Sequence, residues 1–152
     1  NFLGAGIFGF AINPPIALYY IQGLNTTAVH GHAALFGVYG ILGIGLILFV
    51  LRGLYPDRHW NNKILGWAFW LINIGLLVML VGSLLPIGIM QAVEAIQNGY
   101  WSARSEEFMH TDLMQTIRWL RIPGDILLAI GELLLVYFII GLKTGWSLRD
   151  KR

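Results

Sequence analysis

Val29-His30-Gly31-His32 opens an apolar run in which no charged residue occurs between Ala28 and Leu51. A bilayer's hydrocarbon core takes roughly 20 apolar residues of helix to cross. The run is long enough, so it reads as a transmembrane helix. Successive helical residues turn by roughly 100°, and residues two apart therefore point about 200° from each other. His30 and His32 cannot share one metal ion. Each needs its own partner on its own flank of the helix, because a polar group in hydrocarbon is costly when unpartnered.

The whole composition agrees with a membrane location. Of 152 residues, 57% are hydrophobic and only 12% charged, and the mean hydropathy is +0.67, too apolar for an ordinary soluble domain. The net charge is +2, but its basic residues are scattered over membrane-proximal segments and form no basic face. Nucleic-acid binding is excluded as a partner class. With no cysteine the chain has no disulfide, thiolate nucleophile, iron–sulfur cluster or covalent haem attachment, which leaves histidine as the best ligand.

Taken in order, the chain predicts an all-α, polytopic transmembrane bundle of three full spans plus the end of a fourth. Residues 1–12 are too short to cross a bilayer and are read as the end of a helix, so that residues 1–152 form the C-terminal segment of a larger integral membrane domain. Asn13-Pro14-Pro15 is expected to stop that helix, with Tyr19, Tyr20 and Gln22 in a water-facing interfacial connection. Asn25, Thr26 or Thr27 is expected to cap the next helix, spanning 27–51, whose glycines at 37, 40 and 43 suit close approach by a helix or a flat cofactor. Further spans are expected over 64–95, kinked by Pro86, and over 113–142, with a polar loop between them.

Lysine and arginine fix the expected orientation. Arg52, Arg58, Lys63, Lys143, Arg149, Lys151 and Arg152 fall on one side, and Arg104, Arg118 and Arg121 on the other. The richer side, with the C-terminus, is expected in the cytoplasm. His30 then lies about four residues, roughly 6 Å, inside the outer end of its helix.

Arg118 and Arg121, three residues apart at similar depth, suit neutralising carboxylates or snorkelling to the interface. Asp125 stands four residues beyond Arg121, a spacing that favours an ion pair between them; its other reading is a carboxylate accepting a proton or a hydroxyl hydrogen bond. Glu132 reads as part of a proton route or as an inter-helix hydrogen bond. Glu94, His59 and His110 read as interfacial or solvated residues. No phosphate loop, catalytic triad or zinc signature is present.

Several stretches together carry a family resemblance. Asn1-Phe2-Leu3-Gly4-Ala5-Gly6, Thr27-Ala28-Val29-His30-Gly31-His32-Ala33-Ala34-Leu35-Phe36-Gly37 and Arg118-Trp119-Leu120-Arg121-Ile122-Pro123-Gly124-Asp125 resemble the C-terminal end of bacterial nitric oxide reductases. These are the large haem-bearing polypeptides within the haem–copper oxidase superfamily, with a core of 12–14 helices. The resemblance implies that His30 is the proximal ligand of a high-spin haem b3 and His32 an axial ligand of a low-spin haem b. Arg118 and Arg121 would face haem propionates, and Asp125 would line a quinol pocket. It also implies a non-haem iron whose ligands lie outside this chain, so the segment is not active alone. The partners implied are the bilayer of the bacterial inner membrane, the N-terminal remainder of the same protein, NO, and quinol or cytochrome c as electron donor, with quinol expected. Two alternatives stay open. A haem–copper terminal oxidase usually carries a bulky aromatic where Gly31 stands, and a non-enzymatic haem b protein needs no reaction centre.

Overall fold

The structure, a computed structural model, describes residues 1–58 and 60–145. His59 and the tail from residue 146, with Arg149, Lys151 and Arg152, lie outside the described residues. Among those described, the regular structure is entirely helical. In order come α1 (Phe2–Ile12), α2 (Pro15–Ile21), α3 (Asn25–Gly31), a π-helical stretch (His32–Gly40) and α4 (Ile41–Leu54). Then follow α5 (Asn62–Met79), a second π stretch (Leu80–Leu84) and α6 (Leu85–Asn98). The chain continues through a 3₁₀ turn (Ser102–Arg104), α7 (Glu106–Met109), α8 (Asp112–Trp119) and α9 (Arg121–Thr144).

These elements join into three helices long and apolar enough to cross a membrane, Asn25–Leu54, Asn62–Asn98 and Asp112–Thr144. Pro86 does not end its span. It has no N–H to offer the carbonyl four residues back, and the helix accommodates it by widening just before it, so that Leu85 N–H bonds the Leu80 carbonyl five residues back. The third span is interrupted at Leu120 (φ −64°, ψ −8°). Pro123 explains the position, since its ring excludes the regular bond to the carbonyl of residue 119.

The connection expected over Pro15 to Gln22 is instead the helix α2, turned 89° from α1. Proline is at home at a first helical position, where the N–H has no intrahelical partner. Gly23 then turns the chain with φ +73°, in the left-handed region that glycine enters without steric cost. Tyr100 Oη donates to the Gln22 carbonyl at 2.6 Å and accepts from Arg104 Nη1 at 2.7 Å. That pins the turn to the far loop. The expected polar loop from residue 97 to 112 also contains helical turns, α7 being capped by Ser105 Oγ, which accepts from Phe108 N–H.

One buried cluster joins Val29 of α3 to Leu76, Met79 and Leu84, a second joins Leu24, Ala95 and Ala103, and the helices α5 and α9 pack backbone to backbone. A Cβ on Gly75 would stand 2.5 Å from Leu128 N and 2.7 Å from the Gly124 carbonyl, and one on Gly131 would stand 2.8 Å from Ile72 N. Only glycine permits that backbone approach, the usual basis of helix association in lipid. The expected packing glycines behave differently. Gly37 meets Leu76 of α5 and Asn1, but Gly40 meets only its own helix and Gly43 nothing within 4 Å. Of the most apolar window in the helix Asn25–Leu54 only 6% is buried by the rest of the chain, against 28% in each other span. The histidine-bearing helix therefore has faces that something beyond this chain must cover.

Candidate functional site

His30 and His32 lie at the junction where α3 passes into the first π stretch, with near-α backbone angles at Gly31 (φ −57°, ψ −49°) and His32 (φ −66°, ψ −41°). The helical turn that separates their directions is thus kept. π-helical segments recur at functional sites, and this one begins at the second histidine. Nothing in the sequence marks it.

Each histidine is half-buried and is held by one ring nitrogen. His30 Nδ1 lies 3.0 Å from the Ala5 carbonyl of α1, and His32 Nδ1 lies 2.8 Å from the Ala28 carbonyl of its own helix. A carbonyl oxygen only accepts, so both Nδ1 atoms carry a proton, and Nε2 is the nitrogen that a neutral ring offers to a metal. This is the arrangement of an imidazole prepared to ligate a metal, in which a bond at the far nitrogen fixes tautomer and ring plane. The donors fit an axial ligand to a haem iron, one per histidine. No group of three or more His, Cys, Asp or Glu that could hold a metal ion occurs among the described residues.

Gly9 completes the first seat. A Cβ there would stand 2.8 Å from His30 Cε1, so the bare backbone of α1 makes room for the ring. The start of the helix is set by Gln91, a residue passed over in the sequence. It is 4% exposed. Its Oε1 accepts from Asn25 N–H at 2.9 Å and Asn25 Nδ2 at 2.8 Å, while its Nε2 donates to the Ala103 carbonyl at 3.1 Å. The expected side-chain cap from Asn25, Thr26 or Thr27 is therefore absent, and a glutamine from α6 does that task. Gly88, one turn earlier, lets α6 touch Thr26, where a Cβ would stand 2.6 Å from the backbone N. Gln91 was legible as a polar residue on the stripe of Ile72, Met79 and Ile87 that buries one side of its span.

The charged residues are arranged around α8 and α9. Arg121 Nε donates to both carboxylate oxygens of Asp125, at 3.2 and 3.0 Å, with both side chains partly exposed. Both Arg121 Nη groups remain without a partner among the described residues. Arg118, exposed, reaches the Met109 carbonyl with Nη2 at 3.4 Å. No bond among the described residues joins either arginine to a histidine. Glu94 accepts from Asn98 Nδ2 and from Ser102 Oγ, an interfacial role. His110 sits 3.5 Å from Glu106 in an exposed pair. Glu132 is half-buried on α9 and forms no bond with another described residue.

Residues 1–127 match the family described as Cytochrome C and Quinol oxidase polypeptide I. The chain belongs to that family. Among curated relatives of this polypeptide I segment, a nitric oxide reductase subunit of Stutzerimonas stutzeri is 32% identical over 142 residues, covering 90% of the chain and 29% of the relative. The chain thus spans less than a third of that relative's length. The match contains both histidines and the pair Arg118 and Arg121. Polypeptide I membership makes this a segment of a membrane-protein family, and haem is the cofactor class that family implies.

Proposed function

We propose that this chain is the part of a nitric oxide reductase that supplies one axial ligand to each of two haems, His30 to the high-spin haem b3 and His32 to the low-spin haem b. The observation that carries the reading is the pair of Nδ1–carbonyl bonds, which leaves Nε2 as the ring nitrogen without a hydrogen bond among the described residues on both imidazoles. Identity to a protein named as part of a nitric oxide reductase supports the choice of reaction. When bound, the haems and a non-haem iron held by residues outside this chain supply the chemistry that joins two NO, two electrons and two protons into N2O and water.

The chain's own residues bind and orient. Ala5 and Ala28 carbonyls retain the Nδ1 protons and so fix the two ring planes. Arg121, whose Nη groups have no partner among the described residues, and Arg118 are assigned to the haem propionates, whose charge needs cations of this kind. Asp125 holds the Arg121 side chain in place and is assigned to the hydroxyl of a quinol donor. The protein is placed in the bacterial inner membrane with its C-terminus in the cytoplasm, on the distribution of its arginines and lysines.

A second reading changes only the donor. The relative is named as one subunit of its enzyme, which favours an assembly in which a separate cytochrome c delivers electrons. Purified intact protein separates the readings. NO consumption with N2O release, driven by reduced quinol, is the expected result, and the same turnover driven only by reduced cytochrome c establishes the second reading. Oxygen reduction without NO turnover makes the protein a terminal oxidase, and haem spectra without either turnover make it a non-enzymatic haem b protein.

A further inference from the structure

We propose that the cleft between α4 and α5 is a binding site for an anionic phospholipid, with the phosphate at Arg52 and Arg58 and one acyl chain along the cleft. The proposal is independent of the haem assignment and needs only that these helices cross a membrane.

Two cavities lie end to end between the same two helices. The inner one, about 310 Å³, is lined on α4 by Ile41, Ile44 and Leu48 and on α5 by Leu65 and Phe69. The outer one, about 410 Å³, is lined by Arg52, Arg58, Trp60 and Asn62. Arg52 is one helical turn beyond Leu48, and Asn62 is three residues before Leu65. Each helix therefore presents one stripe that is apolar inside the membrane, except for Asn73 on α5, and polar at its edge. From Ile41 to Arg52 is 11 residues, or roughly 16 Å at 1.5 Å per residue. That is about one leaflet of a hydrocarbon core roughly 30 Å thick.

The outer cavity has the chemistry of a phosphate site. Arg52 lies over the Trp60 ring, 5.1 Å from its centroid, and Trp60 packs on Phe138 of α9 with centroids 5.2 Å apart. Arg58 leans from the turn onto the end of α9, where its Nη1 would stand 2.8 Å from a Cβ at Gly145. Neither guanidinium has a carboxylate partner among the described residues, and Asp57, in the same turn, pairs with neither. The Trp60 indole N–H is buried without an acceptor. Two guanidiniums without a carboxylate partner among the described residues suit an anion with several oxygens.

A lipid suits the cleft better than another helix does. The cleft carries guanidiniums at one end and apolar side chains along its length, which matches the headgroup and acyl chain of one anionic lipid, a narrow apolar rod with a charged end. Basic pockets between membrane helices are a recurrent way of holding anionic headgroups.

The test reconstitutes the intact protein in nanodiscs of phosphatidylcholine containing one-fifth phosphatidylglycerol, extracts it again, and measures the retained lipids by mass spectrometry. The wild type is expected to retain phosphatidylglycerol above its share of the bilayer. The double substitution Arg52→Gln and Arg58→Gln is expected to reduce that enrichment roughly tenfold or more, with Lys63→Gln, a charge at the same membrane edge outside the cavity, leaving it within about twofold. Leu48→Trp, which fills the apolar stripe and changes no charge, is expected to reduce retention of both lipids and decides the matter if the double variant fails to fold. The proposal is overturned by no enrichment in the wild type, as when another part of the polypeptide fills the cleft. Enrichment that survives the double substitution, or that Lys63→Gln removes equally, overturns it too.

Discussion

The ring of His30 fills the space that a side chain at Gly9 would need: a Cβ there would stand 2.8, 3.3 and 3.4 Å from Cε1, Nδ1 and Nε2. The first of these distances is too short for any real contact, and the obstacle is a ring fixed at Nδ1 by the Ala5 carbonyl. Gly9→Ala is therefore expected to displace His30 and break that bond. Optical and electron paramagnetic spectra of the intact protein should show an altered or lost high-spin haem with the low-spin haem retained. Gly6→Ala, which meets nothing within 4 Å, is the matched control and should leave both signals as they are. An unchanged high-spin signal in Gly9→Ala would sink the assignment of His30.

The two histidines are held by carbonyls of different helices, α1 and α3, so their loss should be separable. His30→Ala is expected to abolish the high-spin signal while most of the low-spin signal remains, and His32→Ala to do the reverse. A swap of those outcomes would show that the two roles are exchanged. Loss of both haems in either variant would mean that the helix is positioned by its cofactors.

Much of this was legible in the sequence because it follows from periodicity and from the cost of polar groups in hydrocarbon. The spans and the Arg121–Asp125 pair both depend on local geometry. What was not legible depends on meetings between distant segments. Pro15 starts a helix where it was expected to extend a break, since proline is compatible with both, and only the packing of α2 decides. Gln91 replaces a local cap at Asn25 across 66 positions of sequence. Likewise, glycines 37, 40 and 43 form a visible pattern, yet Gly75, Gly88 and Gly124 make the closest approaches to another helix's backbone. The identity of a glycine's neighbour is a property of the partner helix.

At the α5–α9 contact the backbones themselves meet, so a methyl group has nowhere to go. A Cβ at Gly124 would stand 2.7 Å from Met79 N and 2.8 Å from the Gly75 carbonyl. Gly124→Ala is expected to cost at least the 1–3 kcal/mol typical of overpacking, because helices yield less readily than side chains. Thermal unfolding of the intact protein in detergent should show a clearly lowered midpoint. Gly43→Ala and Gly66→Ala, both facing open space, should leave it nearly unchanged, and equal effects at all three sites would count against close packing as the cause.

Arg121 gives Asp125 only its Nε, which leaves most of the guanidinium for another anion. A cation beside a haem favours the reduced form. Arg121→Gln is therefore expected to lower a haem midpoint potential in a redox titration, and Arg118→Gln to act in the same direction. Asp125→Asn removes a negative charge from the same pair and should raise it. Potentials that do not move in Arg118→Gln and Arg121→Gln would remove both arginines from the propionates.

Gln91 joins three segments through one amide, and a hydrocarbon side chain of similar size fails at each of them. In Gln91→Leu the Asn25 N–H, the first donor of the histidine-bearing helix, loses its acceptor, and the Ala103 carbonyl loses a donor. A buried polar group left unsatisfied costs about 1–3 kcal/mol, so the unfolding midpoint should fall. Gln91→Glu keeps an acceptor for Asn25 but has no amide to give Ala103, and is expected to fall between the wild type and Gln91→Leu. Haem spectra add a second reading. If Gln91 sets the start of the helix, then Gln91→Leu should perturb both haem signals together, since His30 and His32 follow Asn25 on one rigid element. A lowered midpoint with both spectra intact would confine Gln91 to holding the outer loop.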